Sequence, residues 1–138
     1  MLLSELGDSG MSVKVIVVDD DPDYRWLNVF ALRTDPGIVV VGETGDGEAA
    51  LALVRKEHPD VAIVDVMMPR INGLELTRRI KCERPETKVV IVTSFVEDAN
   101  RRAAYASGAD DVLSKGEGFE RLVPTVRAVT GGVDRVKH

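Results

Sequence analysis

Short runs of apolar residues recur along the chain and are separated by longer segments of mixed character. Each run is rich in valine and isoleucine and hardly alternates between apolar and polar positions, which is typical of strands buried on both faces. The pattern therefore predicts five strands, the last of them the weakest, at Val13–Val18, 38–42, 61–64, 89–92 and 111–113.

The segments between these runs have the spacing of amphipathic helices. Apolar residues recur three or four positions apart, so each segment has one face that can pack against a sheet. The predicted helices span 23–34, 47–57, 73–83, 97–106 and 117–129. Their predicted core-facing residues are, helix by helix, Leu27, Phe30 and Ala31; Ala49, Ala50, Leu53 and Val54; Leu76 and Ile80; Ala99, Ala103 and Ala106; and Phe119, Leu122, Val123, Val126 and Val129.

Repeated alternation of strand and helix indicates a doubly wound α/β fold, with a five-stranded parallel sheet and helices on both of its faces. We predict one folded domain over residues 12–130. Residues 1–11 contain two glycines and several polar residues and are predicted to be a flexible leader. Residues 131–138 are predicted to be a C-terminal tail or the start of a linker.

Composition and charge narrow the function classes. The 138-residue chain has a formal net charge of -5 and a pI of about 5.0, which disfavours direct nucleic-acid binding because that requires a basic surface. The only cysteine, Cys82, excludes an internal disulfide and favours a reducing, cytoplasmic location. No apolar run approaches the roughly 18 residues that cross a membrane. The segment MLLSELGDSGM lacks the basic region of a signal peptide.

Polar residues follow four of the predicted strands at the point where each strand ends. Because the carboxyl ends of parallel strands meet at one edge of a sheet, we expect these side chains to converge. In chain order they are Asp19, Asp20 and Asp21, then Asp65, then Thr93 and Ser94, and finally Lys115.

The converging residues have complementary chemistry. Clustered carboxylates repel one another unless a cation neutralises them, and a small set of oxygen ligands suits Mg²⁺. Asp65 beside such a cation is a candidate nucleophile for a phosphoryl group. Thr93 can donate a hydrogen bond to a phosphoryl oxygen, and Lys115 can place a positive charge beside it. Each residue alone has a plainer explanation, as a helix cap, a strand residue or a surface lysine, and only their joint occurrence indicates a site.

Four segments make the chain resemble the receiver domains of bacterial two-component response regulators. They are VIVVDDDPDYR (15–25), VAIVDVMMPRINGLEL (61–76), VVIVTS (89–94) and GADDVLSKG (108–116). The block around Asp65 is the most specific of them. The stretch VVVGETGDGEAALALV also resembles receivers of the NarL/LuxR type, in which a DNA-binding helix-turn-helix follows. The resemblance covers residues 12–130 and implies a flavodoxin-like (βα)5 fold.

This resemblance implies a phosphorylation-dependent signalling switch with Asp65 as the phosphoacceptor and Mg²⁺ as the cofactor. Asp20 and Asp65 are implied to bind Mg²⁺ directly, and the backbone carbonyl of Met67 is implied as a third ligand. Asp19 is implied to act mostly through water.

The resemblance also implies roles for Thr93 and Lys115, which would bind the phosphoryl oxygens. The phosphoryl group would come from a sensor histidine kinase or a small phosphodonor, and the chain would catalyse only its own phosphorylation and dephosphorylation. Downstream we expect an effector protein or a DNA-binding domain absent from this chain, with a phosphorylation-dependent dimer as a further expectation. The corresponding contact surface in the family maps to residues 97–129. Its predicted exposed positions are Arg101, Arg102 and Tyr105.

The sequence departs from the family pattern at two places. Val112 occupies the switch position, where the family usually has an aromatic residue, and valine is small and stiff. Gly116 follows Lys115 where many members have proline. Two bulky residues, Met67 and Phe95, are expected to border the phosphoryl site and to hinder an attacking water. We therefore predict a long-lived phosphorylated form.

Two alternative functions remain open at this point. The first is a phosphate-independent, receiver-like protein-binding module, which Val112 and Gly116 support and the intact set of acids disfavours. The second is a haloacid-dehalogenase-like phosphatase, which the D-x-D spacing within 19–21 supports. The lysine of that family should precede its acidic pair, whereas Lys115 follows the pair at 110–111.

Overall fold

The computed structural model describes residues 12–131, within which strands and helices alternate as predicted. The strands are β1 (Val13–Val18), β2 (Ile38–Thr44), β3 (Val61–Asp65), β4 (Lys88–Thr93) and β5 (Asp111–Ser114). The helices are α1 (Pro22–Leu32), α2 (Gly47–Glu57), α3 (Gly73–Glu83), α4 (Asp98–Ala106) and α5 (Gly118–Val129). The predicted leader at 1–11 lies outside the described residues, as do residues 132–138 of the predicted tail.

All five strands are parallel and form a single sheet in the order β2-β1-β3-β4-β5. The chain leaves β1 toward β2 on one side and continues with β3 on the other, which makes the space between β1 and β3 a topological switch point. Ligands of such sheets bind beyond the carboxyl ends of the strands at this point. The predicted fold class, a flavodoxin-like doubly wound sheet, is confirmed.

Two hydrophobic clusters hold the helices on opposite faces of the sheet. One cluster joins the sheet to α2, α3 and α4 through buried residues such as Leu51, Leu76 and Ala104. The other joins it to α1 and α5 through buried residues such as Leu32 and Leu122. Since burial of such side chains contributes about 1.5–3 kcal/mol each, the two clusters together supply the main force that keeps the strand ends aligned.

Side-chain caps begin α1, α2 and α3 next to the carboxyl ends of the strands. Asp21 accepts a hydrogen bond from the backbone N–H of Asp23, and Pro22 occupies the first turn of α1. Asp46 caps α2 as the sequence predicted, and Asn72 caps α3 in the same way. A capping residue of this type stabilises a helix by about 1 kcal/mol. The caps therefore fix where these three helices leave the sheet edge.

The predicted core face of α1 was wrong in part. Phe30 was assigned to the core, but 59% of its surface is exposed and it stacks on the exposed Trp26 with ring centroids 5.4 Å apart. The polar residue Asn28 is buried beside Val29 instead. Hydrophobicity alone placed the face one position away from the side that contacts the sheet.

The predicted faces of three other helices also need correction. Ala104 is the residue of α4 that is buried, whereas the predicted residues Ala99, Ala103 and Ala106 are exposed. A helix rich in alanine has several equivalent faces, so its pattern does not select one. Ala49 of α2 and Phe119 of α5 are likewise exposed, whereas the predicted residues Ala50, Val54, Leu76, Ile80, Leu122 and Val126 are buried.

Candidate functional site

The register of the sheet brings the ends of four strands together. β1 pairs with β3 so that Asp19 and Asp65 stand at corresponding positions at their carboxyl ends. β4 pairs with β3 and β5 so that Thr93 lies one residue beyond the level of Asp65 and pairs with Ser114. Lys115 follows immediately. The predicted residues from four strand ends therefore share one edge of the sheet.

Three carboxylates form a cluster at this edge. One oxygen atom from each of Asp19, Asp20 and Asp65 lies within 4.8 Å of the others. Asp19 and Asp65 are buried, with 2% and 4% of their surface exposed, whereas Asp20 is exposed. An all-oxygen set that is open to solvent on one side fits Mg²⁺, which binds few protein ligands and keeps several waters. Asp21 does not belong to this set because it caps α1.

The Lys115 ammonium is the cation among these acids. Its Nζ lies 3.1 Å from Asp19 Oδ2 and 3.4 Å from Asp65 Oδ2. Only 11% of the lysine side chain is exposed, so water and salt screen these ion pairs less than they screen pairs on the surface. The structure thus brings together three charged side chains that the sequence analysis selected from three different strand ends.

The charges in the site shift the pKa values of two groups. Burial raises the pKa of Asp65 to about 6, and the neighbouring carboxylate of Asp19 acts in the same direction. Lys115 and the backbone N–H of Met67 oppose this shift but do not cancel it. Burial opposes the charged form of Lys115 as well, yet the carboxylates of Asp65 and Asp19 hold the pKa of the lysine above its ordinary value.

Backbone hydrogen bonds fix the side chains at the ends of β1 and β4. Asp19 Oδ1 accepts a hydrogen bond of 2.9 Å from the backbone N–H of Asp21. Thr93 is buried, and its Oγ1 accepts a hydrogen bond of 3.1 Å from the backbone N–H of Phe95. That bond uses an oxygen lone pair, so the Thr93 hydroxyl hydrogen is available for donation to a ligand.

Met67 and Phe95, the two residues predicted to border the phosphoryl site, lie beside Thr93. They are 58% and 49% exposed, and together with Thr93 they line a cavity of about 250 Å³. The remaining lining comes mainly from apolar residues of β4, α3 and α4. Val112 is buried in the hydrophobic cluster on the side of α2, α3 and α4.

Two residues of α1 contact the site but were not selected from the sequence. Tyr24 places its ring 4.3 Å from Lys115 Nζ, and its hydroxyl donates a hydrogen bond of 3.3 Å to the carbonyl oxygen of Lys115. Arg25 Nη1 donates a hydrogen bond of 2.7 Å to the carbonyl oxygen of Asp19. Their position in the sequence could have indicated this, because both lie in the first turn of the helix that begins beside the acids. Side chains in that turn can point back toward the sheet edge.

This arrangement suits phosphoryl transfer to a carboxylate. A carboxylate such as that of Asp65 can act as a nucleophile toward phosphorus, and a hydroxyl and an ammonium such as those of Thr93 and Lys115 can donate a hydrogen bond and a positive charge to phosphoryl oxygens. Asp19 and Asp20 add the oxygen ligands that a divalent cation requires.

Among residues 12–131, no helix is long and apolar enough to cross a lipid bilayer.

Comparisons with known proteins agree with this chemistry. The chain is 40% identical over 120 residues to the response regulator GacA of Pseudomonas aeruginosa, an alignment that covers 87% of this chain and 56% of GacA. It is 42% identical over 131 residues to protein-glutamate methylesterase/protein-glutamine glutaminase 3 of Anaeromyxobacter dehalogenans, which covers 86% of this chain and 37% of that protein. The chain therefore spans about half or less of the length of these curated relatives.

Solved structures and a family profile lead to the same family. The signal receiver domain of the response regulator NarL from Mycobacterium tuberculosis superposes with a TM-score of 0.83 at 33% identity, covering 88% of this chain and 98% of that one. A response regulator of the LuxR family from Aurantimonas gives a TM-score of 0.83 at 28% identity, covering 88% and 86% of the two chains. The profile of the response regulator receiver domain matches residues 15–127. The chain belongs to the response regulator receiver domain family, whose members act in phosphorylation-dependent two-component signalling.

Proposed function

We propose that Asp65 accepts a phosphoryl group from a sensor histidine kinase or a small phosphodonor, in a reaction that depends on Mg²⁺. The observation that carries the proposal is the setting of this carboxylate, which is buried, lies 3.4 Å from Lys115 and is clustered with two other aspartates. Burying several like charges together costs stability, and such clusters are typical of functional sites.

Mg²⁺ is the proposed cofactor of this reaction. Asp20 and Asp65 would hold it directly with the backbone carbonyl of Met67, and Asp19 would act mostly through water. When bound, Mg²⁺ supplies positive charge that neutralises the carboxylates and the phosphoryl oxygens. The all-oxygen donor set and the exposure of Asp20 on the solvent side support this assignment.

The residues of the chain carry out the transfer by position and charge. A bond forms between an Asp65 carboxylate oxygen and phosphorus while the bond from phosphorus to the donor breaks, and the leaving group keeps that electron pair. Lys115 binds one phosphoryl oxygen through its ammonium, and Thr93 donates a hydrogen bond to another. Hydrolysis of the resulting acyl phosphate releases inorganic phosphate and restores the carboxylate. The domain acts on no other substrate in this proposal.

The signal would then pass to a partner at an altered surface. We place the output in an effector protein or in a DNA-binding domain, because the chain is similar to the receiver domain of the response regulator NarL and to a response regulator of the LuxR family. The acidic domain itself would contact neither nucleic acid nor membrane, and its exposed lone cysteine fits a cytoplasmic location. The segment 97–129 is proposed to form the output and dimer surface. Val112, which has a small, buried side chain, is the proposed switch position within this segment.

The test is phosphorylation in solution, followed by intact mass. Incubation with Mg²⁺ and acetyl phosphate should add one phosphoryl group to the wild type. The matched variant Asp65→Asn, which has nearly the same shape but no nucleophilic carboxylate, should gain nothing, and a chelator should suppress the reaction of the wild type.

The other outcomes would favour the alternatives. A wild type that gains no mass and does not bind a beryllofluoride mimic would be a phosphate-independent binding module. Steady turnover of a generic phosphomonoester would instead indicate a phosphatase, which the assigned family does not favour.

A further inference from the structure

Tyr24 contacts Lys115 at both ends of the lysine. The ring of Tyr24 lies 4.3 Å from the ammonium nitrogen, within the distance at which a cation is attracted to an aromatic face. The hydroxyl of the same residue donates a hydrogen bond of 3.3 Å to the backbone carbonyl of Lys115. One side chain on α1 therefore touches both the charged head of the lysine and the backbone that carries it, across 91 positions of sequence.

The backbone of Lys115 lies where the last strand gives way to a short turn. Lys115 stands at the start of a short 3-10 turn, and the next residue is Gly116, which has no side chain to restrict the chain. The lysine side chain has a flexible four-carbon stem, so fixing its ammonium group in one place costs conformational entropy. Lys115 can hold a phosphoryl oxygen only if both its backbone and its head are kept in place.

The ring also leaves the hydrogen bonds of the ammonium free. A lysine head has three donors, and Asp19 and Asp65 lie 3.1 and 3.4 Å from it. An aromatic face attracts the whole charge, so it holds the head without occupying a particular N–H group. The ammonium can then keep its contact with Asp19 while it donates a hydrogen bond to an oxygen of a phosphoryl group attached to Asp65.

We propose that Tyr24 is a positioning residue for Lys115, which uses its ring face to hold the ammonium and its hydroxyl to hold the lysine backbone at the acceptor aspartate. This inference rests on the proposed function, because it assigns to Tyr24 an influence on the rate at which Asp65 is phosphorylated. Tyr24 touches neither the phosphoryl group nor the carboxylates in this assignment and acts through Lys115.

The experiment separates the ring face from the shape of the side chain. Position 24 is filled with phenylalanine and then with phenylalanines that carry successively more fluorine atoms, which weaken the negative ring face and nearly preserve its shape. The rate of phosphorylation by acetyl phosphate in Mg²⁺ is measured by intact mass. We expect the logarithm of the rate to fall stepwise with fluorination, and Tyr24→Leu to be about fivefold slower than Tyr24→Phe, equivalent to about 1 kcal/mol.

A second readout does not depend on phosphorylation. In the unmodified protein the ring current of Tyr24 should displace the proton resonances of the Lys115 ε-methylene upfield, a displacement that Tyr24→Phe keeps and Tyr24→Leu removes. The matched control is Phe30→Leu on the same helix, because Phe30 is exposed and stacks on Trp26. This control should leave the Lys115 resonances and the phosphorylation rate unchanged.

The two readouts distinguish the failure of this inference from the failure of the proposed function. A wild type that accepts no phosphoryl group refutes the function itself, while the Lys115 resonances still report whether Tyr24 holds the lysine. If the rate is flat across the fluorinated series, or if the Lys115 resonances do not respond to the change to leucine, the ring face of Tyr24 does not hold the ammonium and the inference is wrong.

Discussion

The carboxyl group of Asp65 is subject to opposed influences. Burial and the charge of Asp19 raise its pKa to about 6, whereas Lys115 stabilises its ionised form. In the proposed transfer, attack on phosphorus requires the ionised carboxylate, so a further cation beside Asp19 and Asp65 would favour the reaction. The carboxylate cluster is therefore better suited to binding a divalent cation than to remaining without one.

Met67 and Phe95 should slow the loss of the phosphoryl group. Both side chains lie exposed beside the site, where their bulk can obstruct the path of an attacking water. We expect the phosphorylated wild type to persist for minutes or longer. Replacing both residues with alanine should accelerate hydrolysis by about fivefold, equivalent to about 1 kcal/mol in activation free energy. The decay is followed by intact mass after the phosphodonor has been removed.

A double variant with leucine at positions 67 and 95 is the matched control, since it keeps apolar bulk at both places. It should decay at nearly the rate of the wild type. Loss of the phosphoryl group from the wild type within seconds, or equal rates for the alanine and leucine variants, would show that these side chains do not control the access of water.

At the residue scale, the charged residues at the centre of the site could be predicted from the sequence, but the residue that contacts Lys115 from α1 could not be. Asp19, Asp65 and Lys115 could be selected because their charges are chemically complementary and each stands at the carboxyl end of a strand. Tyr24 was not selected, because its position in the first turn of α1 places it near the sheet edge without identifying the side chain that it contacts. Only the three-dimensional register shows that its ring meets a lysine 91 positions away.

Gly73 brings α3 close to the backbone of Asp65, the proposed phosphoacceptor. Its backbone N–H donates a hydrogen bond of 2.9 Å to the carbonyl of Val66, and a Cβ at this position would overlap the backbone carbonyl of Asp65. Gly73→Ala should therefore displace α3 or the end of β3. We expect a loss of about 2–3 kcal/mol in the free energy of unfolding, measured with urea, together with slower phosphorylation of Asp65.

Gly116→Ala is the control for the effect of the methyl group itself. A Cβ at Gly116 would lie 3.6 Å from its nearest neighbour, Ser114 Oγ, which is ordinary van der Waals contact. This variant should change the free energy of unfolding by less than about 0.5 kcal/mol. If Gly73→Ala is equally mild, the close approach of α3 to Asp65 does not constrain the site.

At the scale of elements, the positions of strands and helices were predictable and some of the helix faces were not. Valine-rich runs buried on both sides have few alternatives to a central parallel strand, so the sheet followed from the sequence. Phe30 and Phe119 looked like core residues because hydrophobicity does not report which side of a helix meets the sheet. Both line an open surface cavity of about 380 Å³ between α1 and α5 instead.

At the scale of the whole molecule, one ion pair joins α5 to the segment that follows α1. Arg127 on α5 donates hydrogen bonds of 3.0 and 2.7 Å to the two carboxylate oxygens of Asp35, which follows α1. The partners are 92 positions apart in the sequence. Their ion pair connects α5 to the residues that follow α1, and these two helices cover one face of the sheet. Asp35 and Arg127 keep only 19% and 31% of their side-chain surface exposed, and a two-bond pair of this kind is stronger than an ordinary surface pair.

The strength of this pair should depend on pH in a defined direction. The hydrogen bonds from Arg127, with a further one from the backbone N–H of Gly37, hold the pKa of Asp35 below its ordinary value. A carboxyl whose pKa is lower in the folded state stabilises the fold above the pKa of the unfolded chain, about 3.9 for aspartate. That contribution is lost as the pH falls through the lower, folded-state pKa.

A double-mutant cycle with Asp35→Asn and Arg127→Gln isolates the pair, because the other carboxylates titrate in all four proteins and cancel. Urea unfolding should give a coupling free energy of about 1 kcal/mol at neutral pH, in the range of well-formed pairs. The coupling should stay constant down to about pH 4 and shrink below it, since protonated Asp35 no longer attracts Arg127. A coupling that persists unchanged to about pH 3 would mean that packing of the two side chains, and not their charge, joins α5 to the rest of the fold.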